Sequence, residues 1–194
     1  MKTAGIIGGI GPESTMEYYR SFMRTYRTNK NDRSSPPIII DSIDLMTMMG
    51  MVEAGELGKL TDYLLEEVQK LALAGSDFAL LAGNTPHIVF DALQRRSPIP
   101  LISIVESASL AVRALGLTTV GLFGTRFTMQ EDFYASEFTR QGIALVVPGM
   151  DDQDYIHEKY MGELVNGVFL PETHDQMLRI AGDLIRKRGI QGLV

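Results

Sequence analysis

The sequence contains no cysteine, and this absence removes three kinds of chemistry from consideration. Without thiols the chain can form no disulfide bond, no zinc–thiolate site and no cysteine nucleophile of its own. Histidine is scarce as well, and the three residues are His87, His157 and His174. Because their spacing matches no ligand motif, we expect no metal site.

Long apolar runs and an excess of positive charge are also missing. No stretch approaches the roughly 20 apolar residues of a membrane-spanning helix, and the N-terminus lacks the pattern of a signal peptide. The formal net charge is −6 and the isoelectric point about 5.1, which disfavours binding to phosphate backbones. These features predict a cytoplasmic protein that binds neither nucleic acid nor a membrane.

Short apolar runs alternate with helical patterns along the 194 residues. This alternation predicts an α/β fold with mainly parallel sheets flanked by helices, in which ligands bind at the carboxyl ends of the strands. The predicted strands cover residues 4–7, 38–40, 78–82, 99–102, 119–123 and 143–147, the second of them buried, and a last strand begins at 192. The predicted helices cover residues 14–26, 56–74, 86–94, 106–115, 129–141, 151–165 and 173–188.

The sequence also contains an internal repeat. Residues 5–8 resemble residues 121–124, and residues 75–80 resemble residues 189–194 in the same order. The repeat predicts two related lobes, residues 1–115 and 116–194. The counterpart of the turn at Gly83 would fall at roughly position 197, so we expect the second lobe to be incomplete at its C-terminus.

A glycine-rich turn follows the first predicted strand and reads Gly-Gly-Ile-Gly-Pro-Glu-Ser. Gly9 and Gly11 match part of the dinucleotide-binding fingerprint, with Asp41 as a candidate for the ribose acid. However, Pro12 lacks the N–H group that a phosphate would use. Two other interpretations are a tight turn that needs glycine torsions, and a loop that binds a small anion or substrate through Gly9, Ile10 and Gly11.

Two further turns carry hydroxyl groups at predicted helix entrances. One contains Asn84 and Thr85, and the other contains Thr125, Arg126 and Thr128. Hydroxyl and backbone N–H groups at a helix N-terminus can hold a carboxylate. A helix cap explains either turn alone, but the similarity of the two turns favours a small anion held by both.

These blocks resemble the aspartate/glutamate racemase family along nearly the whole chain. The matching segments are residues 5–19, 82–87 and 124–134. The resemblance implies a two-lobed, pseudosymmetric α/β fold with a ligand cleft between the lobes, often dimeric. It also implies racemisation of a small acidic amino acid without a cofactor such as pyridoxal phosphate. On this basis Asn84, Thr85, Thr125 and Thr128 would hold the α-carboxylate and amine of the substrate.

The sequence departs from the family at the reacting groups. Family chemistry uses two thiols on opposite faces of the α-carbon, one to remove the proton and one to return it. The first thiol position matches Gly83, which has no side chain to accept a proton, and the second lies beyond the chain. His87, one helical turn past Gly83, is a candidate substitute base, or alternatively a support for the turn.

Three hypotheses about function therefore stay open. The chain is an amino-acid racemase homologue, a non-catalytic homologue that binds a small carboxylate or amino acid, or a nucleotide-dependent α/β enzyme. The three matching blocks favour the first hypothesis, Gly83 and the missing thiols favour the second, and Gly9, Gly11 and Asp41 favour the third.

Overall fold

A computed structural model describes residues 1–30 and 34–194 of the chain. The chain divides into two compact units, Met1–Ser103 and Ile104–Val194. The division falls after Ser103 rather than after residue 115, because the helix that begins at Ile104 packs within the second unit, where Ser109 Oγ donates to Glu137 Oε1 at 2.9 Å. Within the two described ranges, no helix combines the length and apolar character needed to cross a membrane.

The first unit is a four-stranded parallel sheet with the strand order β2-β1-β3-β4. Its strands are β1 (Ala4–Gly8), β2 (Ile38–Ser42), β3 (Phe78–Leu81) and β4 (Leu101–Ile102). Its helices are α1 (Pro12–Lys30), α2 (Leu45–Glu53), α3 (Leu57–Leu73) and α4 (Phe90–Arg96), with a 3₁₀ helix at Thr85–Val89.

The second unit is a three-stranded parallel sheet with the order β6-β5-β7. Its strands are β5 (Thr119–Gly121), β6 (Ala144–Val146) and β7 (Gly192–Leu193). Its helices are α5 (Ile104–Ala114), α6 (Arg126–Gln130), α7 (Asp132–Arg140), α8 (Met150–Gly162) and α9 (Pro171–Arg188), with a 3₁₀ helix at Leu164–Asn166. The two units together confirm the predicted α/β fold class.

Each unit is built around one buried central strand. All five residues of β1 are buried, and α3 covers the sheet with the predicted apolar stripe, of which Leu60, Leu64 and Val68 are fully buried. In the second unit, Val120 of β5 packs in one core with Phe138 of α7. The helical and strand periodicities of the sequence thus identify the faces that the fold buries.

The contacts of two equivalent glycines agree with the internal repeat. A Cβ atom at Gly5 would lie 3.1 Å from Leu71 Cδ1 of α3, and one at Gly121 would lie 3.4 Å from Leu184 Cδ1 of α9. The strand order β2-β1-β3 in the first unit equals β6-β5-β7 in the second. The two units are therefore pseudosymmetric, as predicted.

Strand β2 and helix α2 differ from the prediction. The strand predicted at 38–40 is present as part of β2, but the prediction that it is buried is wrong, because β2 lies at the sheet edge and Ile40 is 40% exposed. β-branched residues favour strands through their shape whether or not they are buried. Helix α2 was not predicted at all. It is capped by Asp44, whose carboxylate accepts hydrogen bonds from Thr47 N at 2.7 Å and Thr47 Oγ1 at 2.6 Å.

Two predicted helices have a different form in the structure. The helix predicted over 86–94 begins as the 3₁₀ helix and becomes α4 at Phe90. The helix predicted over 129–141 is divided into α6 and α7 by Glu131, which has an extended backbone. The apolar spacing continues across the break through Met129, Tyr134 and Phe138, all buried, so periodicity alone could not reveal it.

Candidate functional site

The turns singled out in the first half of the sequence lie at one edge of the first sheet. Because its strands are parallel, the segments that follow β1, β2 and β3 all leave at the carboxyl edge. This edge brings together the loop at Gly9–Gly11 and the segment from Gly83 to Thr85. The equivalent edge of the second sheet carries the turn from Gly124 to Thr128 after β5.

The glycine turn after β1 is held tightly by its own hydrogen bonds. Gly9 has a φ of +81°, and a Cβ atom there would lie 2.1 Å from the carbonyl oxygen of Ile43. Its N–H donates to Thr15 Oγ1 at 3.0 Å, and that hydroxyl donates to Gly11 O at 3.1 Å. Glycine is therefore required at position 9 by both torsion and space, and its N–H group is used within the turn.

Gly83 lies directly against Ile10 of the glycine turn. A Cβ atom at position 83 would lie 3.2 Å from both Ile10 Cδ1 and Ile10 O, and 3.3 Å from Ile10 Cγ1. The preceding residue is fixed by a hydrogen bond from Ala82 N to Ile7 O at 2.9 Å. The place that a side chain at position 83 would occupy is thus partly filled by Ile10, which is 4% exposed.

The Asn84–Thr85 segment begins the 3₁₀ helix. Asn84 has helical torsions and makes no side-chain hydrogen bond that caps this helix, and Pro86 stands in its first turn. Thr85 and Pro86 are buried. The turn is therefore fixed by backbone contacts and by Pro86 rather than by an asparagine cap.

His87 is buried behind this segment, with an exposed fraction of 3%. Its Nδ1 lies 3.0 Å from Gly83 O, and its ring stacks on Phe90 with a centroid distance of 5.0 Å. Since a carbonyl oxygen only accepts, Nδ1 carries the proton and donates it. Burial lowers the pKa of His87 to about 4, so the imidazole is neutral near pH 7 and supports the turn.

The turn of the second unit is closed by two buried threonines. Thr125 is the N-cap of α6, and its Oγ1 accepts a hydrogen bond from Thr128 N at 3.2 Å. The hydroxyls of Thr125 and Thr128 are 3.1 Å apart. A Cβ atom at Gly124 would lie 2.8 Å from Thr128 Cγ2, just as one at Gly8 would lie 2.5 Å from Thr15 Cγ2. Gly8 at the end of β1 and Gly124, which follows β5, are thus each covered by a threonine of the following helix.

Helix α8 contacts this turn through residues that sequence reasoning did not identify. Arg126 Nη2 forms an ion pair with Asp154 Oδ1 at 2.9 Å, and Arg126 N donates to His157 Nδ1 at 3.3 Å. Gln130 Nε2 donates to Gln153 Oε1 at 3.0 Å. Asp154 and His157 are three residues apart on one helix face, and this spacing is the signal that could have identified them.

Asp41, the candidate ribose acid, belongs to a different group of side chains. Burial, followed by a hydrogen bond with Glu67 and its charge, raises the pKa of Asp41. Glu67 is itself buried and pairs with Lys70 Nζ at 2.5 Å. Asp41 therefore interacts with α3. In the part of the chain that the structure describes, no three His, Asp or Glu residues are grouped so as to hold a metal ion.

The second unit contains a cavity of about 580 Å³, whose wall includes Phe123, the residue before Gly124. Its walls are almost entirely apolar, and they include Phe123, Leu170, Met177 and Leu193. None of the predicted site residues lines it. Because it offers few polar groups, it does not suit a small carboxylate.

Comparison with known proteins agrees with this fold. Residues 7–194 match the Asp/Glu/hydantoin racemase family. The chain is 25% identical over 166 residues to the broad specificity amino-acid racemase RacX of Bacillus subtilis (strain 168), covering 84% of this chain and 67% of that protein.

Two solved structures are similar over the whole chain. One, from Yersinia pestis, is described as a candidate Asp/Glu racemase; it is 28% identical with a TM-score of 0.88, covering 100% of this chain and 84% of that one. The other, an aspartate racemase homologue from Pyrococcus horikoshii OT3, is 30% identical with a TM-score of 0.82, again covering 100% of this chain and 84% of that one. This chain belongs to the Asp/Glu/hydantoin racemase family.

Proposed function

We propose that this protein binds a small carboxylate of the acidic amino-acid class and does not transfer a proton through position 83. Family membership and the similarity to amino-acid racemases support the ligand class. The observation that carries the second half of the proposal is Gly83, which has no side chain and lies against Ile10.

Neither neighbour of Gly83 replaces the missing base. Ile10 is apolar, and the His87 ring is buried, with an exposed fraction of 3% and its Nδ1 donating to the Gly83 carbonyl. A pKa of about 4 makes His87 a weak base for an α-proton. Racemisation by two groups on opposite faces needs an acceptor on each face, and this position supplies none.

The proposed binding residues come from the turns at the carboxyl edges of the two sheets. Asn84, Thr85, Thr125 and Thr128 would hold the α-carboxylate and amine, while the loop at Gly9–Gly11 would contribute backbone contacts. Arg126 would attract the side-chain carboxylate, because its half-exposed guanidinium group can donate hydrogen bonds to a second anion besides Asp154.

The two other hypotheses receive less support from the contacts. An active racemase would need a proton acceptor other than Gly83 and His87. A nucleotide-dependent enzyme would need Gly9 N–H for a phosphate and Asp41 for a ribose, whereas Gly9 N–H donates to Thr15 and Asp41 interacts with Glu67. A homodimeric assembly, activity without a cofactor and a cytoplasmic location stay predictions.

Calorimetric titration and α-deuterium exchange test the two halves separately. We expect L- or D-aspartate or glutamate to bind, and Arg126→Gln to weaken binding by about tenfold, the effect of losing one charged hydrogen bond. Arg113→Gln, which changes an exposed arginine on α5, is the matched control. In deuterium oxide we expect no exchange of the α-proton above buffer, measured by NMR. No binding would contradict the first half, and enzyme-dependent exchange the second.

A further inference from the structure

We propose that Ile10 is a specificity-determining residue, which blocks position 83 so that no acid/base side chain there can reach a ligand while Ile10 is present. The inference rests on the proposed function only in treating position 83 as a site that faces ligand. The evidence for the block itself comes from the packing of the first unit.

Backbone torsion does not explain why position 83 is a glycine. Gly83 does not have a positive φ, in contrast to Gly9 and Gly11 with +81° and +147°. An L-residue could therefore adopt its conformation. The obstacle is space, because a Cβ atom would lie 3.2 to 3.3 Å from three atoms of Ile10, closer than the 3.5–4.0 Å of ordinary carbon contacts.

Both sides of this contact are held in place. The loop around Ile10 is fixed by the hydrogen bonds of Thr15 with Gly9 and Gly11, and Gly9 lies close to the Ile43 carbonyl. The carbonyl of Gly83 is bound by the buried His87 ring. Since isoleucine is β-branched and stiff at χ1, its side chain has few ways to withdraw.

A Cβ atom at position 83 would touch two aliphatic carbons and the carbonyl oxygen of Ile10, so a thiol there would have a mainly apolar neighbour. Burial in apolar surroundings raises the pKa of a thiol and removes the thiolate that acts as base or nucleophile. Replacing Ile10 by alanine removes Cγ1 and Cδ1, two of the three close atoms. Position 83, which is already partly exposed, would then have room for a side chain beside residue 10.

Thiol reactivity measures this block without any ligand. Because the chain has no cysteine, Gly83→Cys introduces a single thiol whose reaction with Ellman's reagent can be followed directly. Gly58→Cys is the matched control, since Gly58 is exposed and has nothing within 4 Å of an added Cβ. We expect the thiol introduced at 83 to react at least about tenfold more slowly than the one at 58, the effect of a one-unit rise in pKa.

Adding Ile10→Ala should restore the rate at 83 and leave the rate at 58 unchanged. Equal rates for the two single variants would overturn the proposal, as would an equal acceleration of both thiols, which indicates general loosening. If Gly83→Cys fails to fold, folding of the double variant supports the block by Ile10. Failure of the double variant to fold as well overturns it.

Deuterium exchange in the double variant separates this inference from the proposed function. The thiolate would take the α-proton of bound aspartate or glutamate, forming an S–H bond and leaving the electron pair on the α-carbon. After exchange with solvent, the sulfur would return a deuteron to the same carbon. Exchange in the double variant, without exchange in the parent protein or in Gly83→Cys, supports both proposals. A reactive thiol without exchange supports the block and contradicts the placement of the ligand at position 83.

Discussion

At the scale of single residues, His87 combines a buried imidazole with a fixed proton. Its Nδ1–H donates to the Gly83 carbonyl, and burial disfavours the charged form of the ring. The same residue therefore stabilises the segment next to the glycine and is a poor general base. Its place in the sequence, one helical turn past Gly83, agrees with either role, and its burial and low pKa favour support of the turn.

His87 should make the stability of the protein depend on pH. In the folded protein its pKa is lowered from 6.5 to about 4, so only the unfolded chain binds a proton between these values. The stabilisation is present above pH 6.5 and is lost as the pH falls towards 4, by about 3 kcal/mol in total. Urea denaturation at a series of pH values measures this slope.

Variants at two histidines isolate the contribution of His87. His87→Asn keeps an N–H donor for the Gly83 carbonyl but does not titrate, so its unfolding free energy should fall less over this range. His174→Asn changes an exposed imidazole and should behave as the parent protein does. The prediction fails if His87→Asn and the parent show the same slope.

At the scale of elements, helix α6 is too short to be stable alone. It has five residues, and an isolated helix of this length is not stable in water because nucleation is unfavourable. Helix α8 supports it through His157, Asp154 and Gln153. The turn with Thr125, Arg126 and Thr128 therefore depends on α8 for its position, although α8 itself carries no residue of the predicted site.

His157 provides a test of this support. His157→Ala removes the acceptor of the Arg126 N–H, and we expect amides 126–130 to exchange about fivefold faster, corresponding to about 1 kcal/mol for one hydrogen bond. His157→Asn offers an oxygen acceptor near the same place and should retain most of the protection. Hydrogen exchange followed by NMR is the measurement. Unchanged protection in His157→Ala would show that α8 does not hold the turn through this bond.

At the scale of the whole molecule, the same construction occurs twice. A threonine of the following helix covers Gly8 at the end of β1 and Gly124 after β5. A long helix, α3 or α9, lies over a glycine of the central strand, Gly5 or Gly121. Whether the repeat arose by gene duplication or by convergence, the physical requirement for a glycine at these positions is the same. The segments that pack on these strands leave little room for a side chain. Leu71 of α3 and Ser76 lie against Gly5, and Ile190 and Leu193 lie against Gly121.

Alanine at either glycine should destabilise the protein. A Cβ atom at Gly5 would lie 2.9 Å from Ser76 Oγ, and one at Gly121 would lie 2.8 Å from Ile190 Cδ1. We expect Gly5→Ala and Gly121→Ala each to lower the unfolding free energy by about 1–3 kcal/mol, the usual cost of overpacking. Chemical denaturation followed by circular dichroism measures both effects.

The control for these two changes is Gly58→Ala. Gly58 lies in α3 with nothing within 4 Å of an added Cβ, and alanine favours helices over glycine by up to about 1 kcal/mol. We therefore expect this variant to be as stable as the parent or more so. If Gly5→Ala and Gly121→Ala behave as Gly58→Ala does, the helices do not approach the central strands as closely as described.

The fold class, the pseudosymmetric repeat and the lack of a thiol follow from the sequence by itself. They rest on local quantities, namely the spacing of apolar residues, the order of similar segments and composition. For the same reason the sequence predicted most strands and helices but missed α2, whose Met-rich segment has no clear periodicity, and the edge position of β2. The residues of the carboxyl-edge turns were also identified in this way.

Only the tertiary structure decided what surrounds these residues. Ile10 meets Gly83 because β1 and β3 pair in parallel, Ile7 opposite Leu81, which brings together two turns that are far apart in sequence. The position of the His87 proton depends on the Gly83 carbonyl, and the low pKa of the ring depends on its burial. The support of Arg126 depends on the packing of α8. Such contacts are set by strand register and helix packing, which single-residue patterns do not encode.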